Sequence, residues 1–303
     1  MNATTAKTKI LVIVGPTASG KSELAVNLAL KYNGEVVSAD SRQVYKELDI
    51  GTGKITAEEM RGVPHHCLDI ADPHDRFTAM HWKKAAEAAV KDIASRGKLP
   101  IVCGGTGFYI SALVDDLGFP DVEADTEEQK ALEAKPAEEL FEELKKLDPE
   151  RAATIDLKNK RRLSRAILIT RELGKVPVLA RTESAYEPIM VGISLSSTEL
   201  KKRIRARLMQ RFEAGMIEEA KRLHAAPPEG MGISYERMDE LGLEYRFLAM
   251  YLQNTMSFEV LIDTLYIKIG QYAKRQKTWF KKDTRIRWIE GANAEAITSQ
   301  IVL

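Results

Sequence analysis

The sequence is poor in cysteine and lacks any long apolar run. Only Cys67 and Cys103 occur among the 303 residues, and they form no C-x-x-C pair. This scarcity argues against a disulfide framework or a cysteine-ligated metal, and it favours a reducing, cytosolic setting. No apolar run approaches the roughly 20 residues that span a bilayer. We therefore expect neither a membrane segment nor a signal peptide.

The chain also has almost no net charge, although its charges are unevenly distributed. Its 45 Lys and Arg residues nearly balance its 44 Asp and Glu residues, which taken alone argues against a polyanionic partner. Residues 121–150, however, carry twelve acidic residues and four lysines, whereas residues 268–287 carry eight basic residues against Asp283 alone. This pattern allows a local basic surface near the end of the chain, with a solvated helix face as the simpler alternative.

The most specific motif follows a short apolar run at residues 10–14. It fits G-x-x-x-x-G-K-[ST], the P-loop pattern, with a predicted strand before it and a predicted helix after it. Its members are Gly15, Pro16, Thr17, Ala18, Ser19, Gly20, Lys21 and Ser22. Free backbone amides and the helix dipole favour an anion at this position. We expect Lys21 to reach the terminal phosphates and the Ser22 hydroxyl to hold Mg²⁺.

Strands alternate with helices behind the P-loop. The apolar patterns predict strands at residues 34–40, 99–103, 189–193 and 286–289, and helices at residues 79–95, 137–147, 159–173, 196–213 and 257–280. This alternation predicts an α/β fold, specifically a P-loop NTPase-like doubly wound parallel sheet. An acidic stretch punctuated by prolines predicts a small helical insertion domain at residues 117–149, between core segments 1–116 and 150–303.

Two predicted strand ends carry residues suited to chemistry on a nucleobase. Asp40 ends the second strand, and Gln43 follows closely. A carboxylate can accept a proton from an amine and a Gln amide can pair with a base edge, but Asp40 could equally hold Mg²⁺. At another strand end, residues 104–107 read Gly-Gly-Thr-Gly, which either lets the backbone approach a ligand, with Thr106 as donor, or forms a tight turn.

A neighbouring pair, His65 and His66, invites a metal interpretation. Adjacent residues point apart, however, and no third ligand stands at a helical interval from them. We therefore interpret both as structural histidines.

Two predicted helices combine basic residues with residues that can contact nucleic acid. On the first, Arg161 and Arg165 share a face while Leu163 can pack inward. The second has two neighbouring stripes. They are formed by Lys274, Lys277 and Lys281, and by Tyr272, Arg275 and Trp279. For each helix, a solvated face is the alternative.

Together these motifs make the chain resemble the tRNA dimethylallyltransferases, also called tRNA isopentenyltransferases. The resemblance runs over nearly the whole length and rests on residues 15–22, 40–45, 48–54, 64–66, 104–106, 161–165 and 273–279. It implies transfer of a dimethylallyl group from dimethylallyl diphosphate to the exocyclic amine of the adenine just 3′ of the anticodon. The P-loop would then hold a diphosphate leaving group, with Mg²⁺ as cofactor.

The resemblance also implies roles for individual residues. Asp40 would be the general base, and Thr106 would lie between the diphosphate and the adenine. Lys21 and Arg203 would stabilise the diphosphate bound by the loop from Gly15 to Ser22. The expected contacts with the tRNA anticodon stem-loop are Asp40, Ser41, Arg42, Gln43, Thr106, Arg161, Arg162, Leu163, Ser164, Arg165, Tyr245, Arg246, Lys274, Arg275, Gln276, Lys277, Thr278, Trp279 and Lys281. We expect a cytoplasmic monomer.

Some positions depart from the family pattern. Glu244 replaces a frequent Gly before Tyr245, and Lys281 replaces the Arg that closes the Trp motif. The pair Ile269-Gly270 stands where the family usually has Thr-Arg. These changes bear on the contacts with the anticodon loop rather than on the reaction class.

Three other functions fit parts of the sequence. An isopentenyltransferase acting on free adenine nucleotides would need no basic, aromatic C-terminal helix. A P-loop small-molecule kinase would turn over ATP. A non-catalytic RNA-binding protein would not need the intact set of Lys21, Ser22, Asp40 and Thr106. We therefore predict the tRNA prenyltransferase.

Overall fold

One parallel sheet forms the centre of the fold. The structure is a computed structural model and describes residues 7–120, 122, 127–177 and 184–291. Its strands are β1 (Thr8–Val14), β2 (Gly34–Ser38), β3 (His65–His66), β4 (Leu99–Gly104), β5 (Tyr186–Ser194) and β6 (Arg287–Glu290). They pair in the order β3-β2-β4-β1-β5-β6, and every pair is parallel.

The described residues also form thirteen helices. They are α1 (Lys21–Tyr32), α2 (Ala57–Met60), α3 (Ala79–Ser95), α4 (Gly107–Val114), α5 (Glu127–Ala134), α6 (Ala137–Leu147), α7 (Pro149–Ala152), α8 (Lys160–Leu173), α9 (Ser197–Glu213), α10 (Met216–His224), α11 (Tyr235–Leu241), α12 (Leu243–Leu252) and α13 (Phe258–Phe280). Ser196 caps α9 by accepting a hydrogen bond from the amide of Glu199, whose side chain pairs with Arg203. Among the described helices, none combines the length and apolar character needed to cross a membrane.

The central strand β1 shows why both faces of the sheet are covered. Its fully buried side chains alternate between two apolar clusters, with Ile10, Val12 and Val14 in one and Leu11 and Ile13 in the other. Residues of α1 close the second cluster, while α3, α4 and the helices from α9 to α13 close the first. A parallel strand buried on both faces reads as a continuous apolar run. The predicted P-loop NTPase-like, doubly wound fold is therefore confirmed.

The strand register brings three loops to one edge of the sheet. Val14 of β1 lies opposite Gly104 of β4, and Ser38 of β2 lies opposite Cys103. Because β2, β4 and β1 are neighbours and run parallel, the loops that follow them begin side by side. This is the edge at which open α/β sheets bind ligands.

The chain divides into two compact units, one made of residues 1–115 and 184–303 and the other of residues 116–183. The predicted end of the insertion, residue 149, lies well before the end of the second unit at residue 183. Leu163 and Ile167 of α8 share a buried cluster with Leu140 and Leu144 of α6, so α8 belongs to the second unit. The acidic stretch covers residues 121–150 and stops before α8, so composition does not show that α8 belongs to this unit.

Between residues 41 and 73, where the sequence pattern predicts neither a strand nor a helix, the chain forms two short elements, α2 and β3. A two-residue strand such as β3 shows no alternation of apolar and polar residues, so sequence periodicity cannot reveal it. The predicted edge strand at residues 286–289 is present as β6, at the edge opposite β3.

Candidate active site

The P-loop connects β1 to α1. Gly20 has a φ of 93°, in the left-handed region that favours glycine, and caps α1 without a side-chain hydrogen bond. Amides of the first turn of α1 are therefore left for a ligand. Ser19 adds a buried hydroxyl that has no hydrogen-bond partner among the described residues. Free amides and an unsatisfied hydroxyl suit an oxygen-rich anion.

The Lys21 ammonium lies at this loop, where Nζ donates to the carbonyl oxygen of Pro16 at 3.3 Å. Burial lowers the pKa of Lys21, and the negative charge of Asp40 opposes part of that shift. Burial also raises the pKa of the neighbouring Cys103 to about 12. Cys103 is therefore a neutral thiol at neutral pH and a poor nucleophile.

Asp40 follows β2 and forms a turn with its own backbone. Its Oδ1 accepts hydrogen bonds from the amides of Arg42, at 2.9 Å, and Gln43, at 3.4 Å. These bonds orient the carboxylate, while Oδ2 makes no hydrogen bond within the described part of the chain. An oriented carboxylate with one available oxygen has the geometry that a general base requires.

Thr106 ties the ends of β2 and β4 together. Its Oγ1 accepts from the amide of Ser41 at 3.0 Å, and its own amide donates to the carbonyl oxygen of Ala39 at 3.1 Å. The close approach requires glycine at position 104, because a Cβ on Gly104 would lie 2.1 Å from the Ala39 carbonyl oxygen. Thr106 and Asp40 are consequently held in a defined relative position.

These loops line one cavity at the carboxyl edge of the sheet. It brings together five of the predicted site residues: Thr17, Lys21, Ser22, Asp40 and Gln43. The structure adds Arg207 of α9, together with Thr52 and Gly53 from the loop after Gln43. The cavity thus combines a P-loop, two cationic side chains and a carboxylate.

The structure distinguishes two arginines of α9. Arg203 forms an ion pair with Glu199 at 2.7 Å and is not among the residues lining the cavity. Arg207, one turn later, lines the cavity and has no ion pair with another described residue. The predicted contact of Arg203 with the diphosphate is therefore not supported by its placement. Sequence reasoning missed Arg207. The only feature of the sequence that could have indicated it is the four-residue spacing from Arg203, which places the two residues next to each other on a helix.

A buried carboxylate that the sequence analysis missed holds the loop at residues 48–54. Glu219 of α10 is 1% exposed and accepts from the amides of residues 49, 50 and 51 at 3.1, 2.7 and 2.8 Å. The Tyr245 hydroxyl donates to the same carboxylate at 2.7 Å. Gln43 Nε2 in turn donates to the carbonyl oxygen of Gly53 at 3.2 Å. Glu219 therefore supports the loop that forms one wall of the cavity.

Glu244, which stands where the family frequently has glycine, pairs with an arginine that holds this loop. Glu244 is buried and pairs with Arg211, with 2.9 Å between Oε1 and Nη1. The same nitrogen of Arg211 donates to the carbonyl oxygen of Gly51 at 2.9 Å. The glutamate thus compensates the charge of an arginine that fastens the loop.

Helix α13 and Lys281, which follows it, expose most of the residues predicted to contact tRNA between residues 274 and 281. They are Lys274, Arg275, Thr278, Trp279 and Lys281, with Lys277 half-buried. Gln276, in contrast, is 5% exposed, so its side chain offers almost no surface for the predicted contact with tRNA. The Trp279 indole meets the ring of Phe108 edge-on, with 6.5 Å between the centroids, and both rings are partly exposed. Sequence reasoning missed Phe108.

Three more of the residues predicted to contact tRNA have buried side chains in this structure. They are Leu163 and Ser164 of α8 and Tyr245 of α12. A motif carried over as a block includes every residue of a helical turn, whereas a packed helix exposes only part of each turn.

The remaining predicted tRNA contacts reach the surface to different degrees. Arg161, Arg162 and Arg246 are exposed, and Arg246 pairs with Asp239. Arg165 is half-buried and donates to the carbonyl oxygen of Val122 at 2.6 Å.

The adjacent histidines contact protein groups. His65 Nδ1 lies 2.8 Å from the carbonyl oxygen of Val63, and His66 Nε2 lies 2.8 Å from the buried carboxylate of Glu35. The described residues contain no cluster of three or more His, Cys, Asp or Glu residues able to hold a metal. The contact with Glu35 is consistent with a structural role for His66, whereas His65 also lines the cavity that holds Lys21 and Asp40.

Fold and site together define a P-loop α/β protein with an anion site next to a candidate base. Comparison with known proteins narrows this class, since the family model described as IPP transferase matches residues 43–283. The tRNA dimethylallyltransferase 1 of Syntrophus aciditrophicus is 40% identical over 303 residues, covering 96% of this chain and 97% of that protein. The chain belongs to the IPP transferase family.

Solved structures extend the similarity to the fold. The full-length tRNA isopentenylpyrophosphate transferase of Bacillus halodurans is 38% identical, with a TM-score of 0.68 over 94% of this chain and 90% of that one. A eukaryotic dimethylallyltransferase described as acting on tRNA is 27% identical, with a TM-score of 0.79 over 95% of this chain and 75% of that one.

Proposed function

We propose that this chain transfers a dimethylallyl group from dimethylallyl diphosphate to the exocyclic amine of the adenine 3′-adjacent to the anticodon in tRNA, releasing diphosphate. The observation that carries the proposal is the single cavity lined by both the P-loop residue Lys21 and the Asp40 carboxylate. The names of the relatives support tRNA as the acceptor. A P-loop beside a base suits the departure of a diphosphate during attack by an amine.

On the donor side, the amides of the first turn of α1, Lys21 and Arg207 bind the diphosphate. When the bond between the allylic carbon and the diphosphate oxygen breaks, negative charge grows on the leaving group. Cations fixed at that position stabilise the transition state more than the ground state.

The residues at this cavity also fit Mg²⁺. Ser22 lines the cavity and would hold the ion through its hydroxyl oxygen, since oxygen ligands are the ones that Mg²⁺ prefers, and the diphosphate would supply further oxygen ligands. When bound, Mg²⁺ neutralises part of the diphosphate charge.

On the acceptor side, Asp40 Oδ2 accepts the proton that the adenine amine loses as it bonds to the allylic carbon. Thr106, which accepts a hydrogen bond from the residue after Asp40, would contact the reacting groups, and the Gln43 amide, which lines the cavity, would face the edge of the base. A stacked base has to be extruded to reach such a cavity, which costs a few kcal/mol that base contacts offset.

The exposed face of α13 contacts the tRNA in this proposal. Lys274 and Lys281 would neutralise backbone phosphates. The partly exposed rings of Trp279 and Phe108 offer a surface on which an unstacked base can lie.

The proposal also includes a compartment and an oligomeric state. Because Cys67 and Cys103 are both free thiols, the enzyme suits the reducing cytoplasm. It would act there as a monomer.

A transfer assay tests the proposal. Labelled dimethylallyl diphosphate and Mg²⁺ are supplied with unmodified tRNA or AMP as acceptors in parallel reactions. We expect label on tRNA alone. Label on AMP would move the chain to enzymes that act on free nucleotides, and label on neither, with ATP turnover, would favour a kinase.

A further inference from the structure

A single polar side chain interrupts the buried face of α13. The other buried positions of this helix are apolar: Leu261, Leu265, Ile269, Ala273 and Phe280. Gln276 lies among them and is 5% exposed. Burying an amide is unfavourable unless both of its ends are hydrogen-bonded. The partners of Gln276 therefore indicate what the residue does.

Both ends of Gln276 bond to the backbone of ligand-binding loops. Oε1 accepts from the amide of Thr17 in the P-loop at 2.8 Å, and Nε2 donates to the carbonyl oxygen of Gly105 at 3.0 Å. The fit requires glycine at position 105, because a Cβ there would lie 2.1 Å from Nε2. One side chain thus spans the loops that follow the neighbouring strands β1 and β4.

We propose that Gln276 is a positioning residue that sets the separation between the P-loop and the turn containing Gly105 and Thr106. The inference rests on the diphosphate-binding part of the proposed function. Thr17 lines the cavity, and Thr106 is hydrogen-bonded to the residue after Asp40, so the bridge connects the donor side to the acceptor side. Gln276 acts through these loops and does not itself touch the tRNA.

The substitution Gln276→Leu tests this role, because it removes both hydrogen bonds at similar side-chain volume. We expect the affinity for inorganic diphosphate with Mg²⁺, measured by titration calorimetry, to fall about tenfold as the Thr17 amide loses its anchor. The affinity for unmodified tRNA should not change. Gln210→Leu, at an exposed glutamine of α9, is the matched control and should alter neither affinity.

A second variant, Gly105→Ala, keeps Gln276 intact and displaces its amide with a methyl group. It should reproduce the loss of diphosphate affinity, and the double variant should bind no more weakly than either single one, because all three break the same contact. Circular dichroism shows whether Gln276→Leu folds. If it does not, Gly105→Ala still tests whether the contact between Gln276 and Gly105 affects diphosphate affinity.

Two results would overturn the inference. Loss of tRNA affinity with unchanged diphosphate affinity would make Gln276 a tRNA contact, and unchanged affinity for both ligands would leave it without a positioning role. Diphosphate binding is measured without an acceptor, so a negative transfer assay would count against the proposed function and not against this bridge.

Discussion

The two oxygens of Asp40 have separable tasks. Oδ1 holds the turn after β2, whereas Oδ2 is available as a base. Asp40→Asn keeps an oxygen for the turn and removes only the base. We expect this variant to lose about a hundredfold or more in single-turnover transfer, with tRNA affinity retained. Asp40→Ala, which also removes the hydrogen bonds of the turn, is the comparison. An unchanged transfer rate in the Asn variant would show that Asp40 is not the general base.

Lys21 should make diphosphate binding depend on pH. Burial lowers its pKa below the ordinary value of 10.5, so Lys21 loses its proton at a lower pH than an exposed lysine. A neutral amine attracts diphosphate less, so affinity declines as pH rises through that pKa. Calorimetric titrations across the alkaline range would measure the decline. Lys21→Arg keeps its charge and should not show it, and a decline in that variant would point to another group.

The two arginines of α9 make a matched pair of variants. Arg207→Ala should weaken diphosphate binding about tenfold or more, because it removes a charge from the cavity. Arg203→Ala breaks only an exposed pair within the helix and should have little effect. Titration of both variants with diphosphate decides the question, and a larger loss for Arg203→Ala would restore the expectation drawn from the family resemblance.

At the scale of elements, the loop of residues 48–54 depends on α10. In Glu219→Gln, a single acceptor oxygen replaces the carboxylate, and an amide group faces backbone donors. Each donor left unpaired costs about 1–3 kcal/mol, so we expect the free energy of unfolding in urea to fall by at least about 2 kcal/mol. Tyr245→Phe removes one hydroxyl donor to the same carboxylate and should cost about 1 kcal/mol. Equal losses would argue against Glu219 as the centre of this network.

Substitutions of the lysines of α13 are expected to change the affinity for tRNA but not the affinity for diphosphate. Lys274→Ala and Lys277→Ala should each weaken tRNA binding and reduce the slope of log affinity against log salt by nearly one, while diphosphate affinity stays unchanged. Lys91→Ala, an exposed lysine of α3, controls for net charge. If the lysine variants of α13 lowered only diphosphate affinity, the tRNA surface would have to lie elsewhere.

At the scale of the whole molecule, the sheet could be predicted and the division into units could not. The run at residues 10–14 identifies a strand buried on both faces, and alternation of strands with helices then implies parallel order. The boundary after residue 149 failed for a different reason. Helix α8 joins the second unit through the contacts of Leu163 and Ile167, and an amphipathic pattern shows that a helix has an apolar face without showing which neighbour that face meets.

The sequence by itself determined the P-loop, the strand and helix around it, and the placement of Asp40 and Thr106 at strand ends. These are local patterns, and parallel strands carry their carboxyl ends to one edge whatever the rest of the chain does. Tertiary structure alone decided that Arg207 rather than Arg203 lines the cavity, that Glu219 holds the neighbouring loop, and that Gln276 joins two loops. Such contacts join residues far apart in the chain, and they depend on how helices pack, which neither residue type nor spacing specifies.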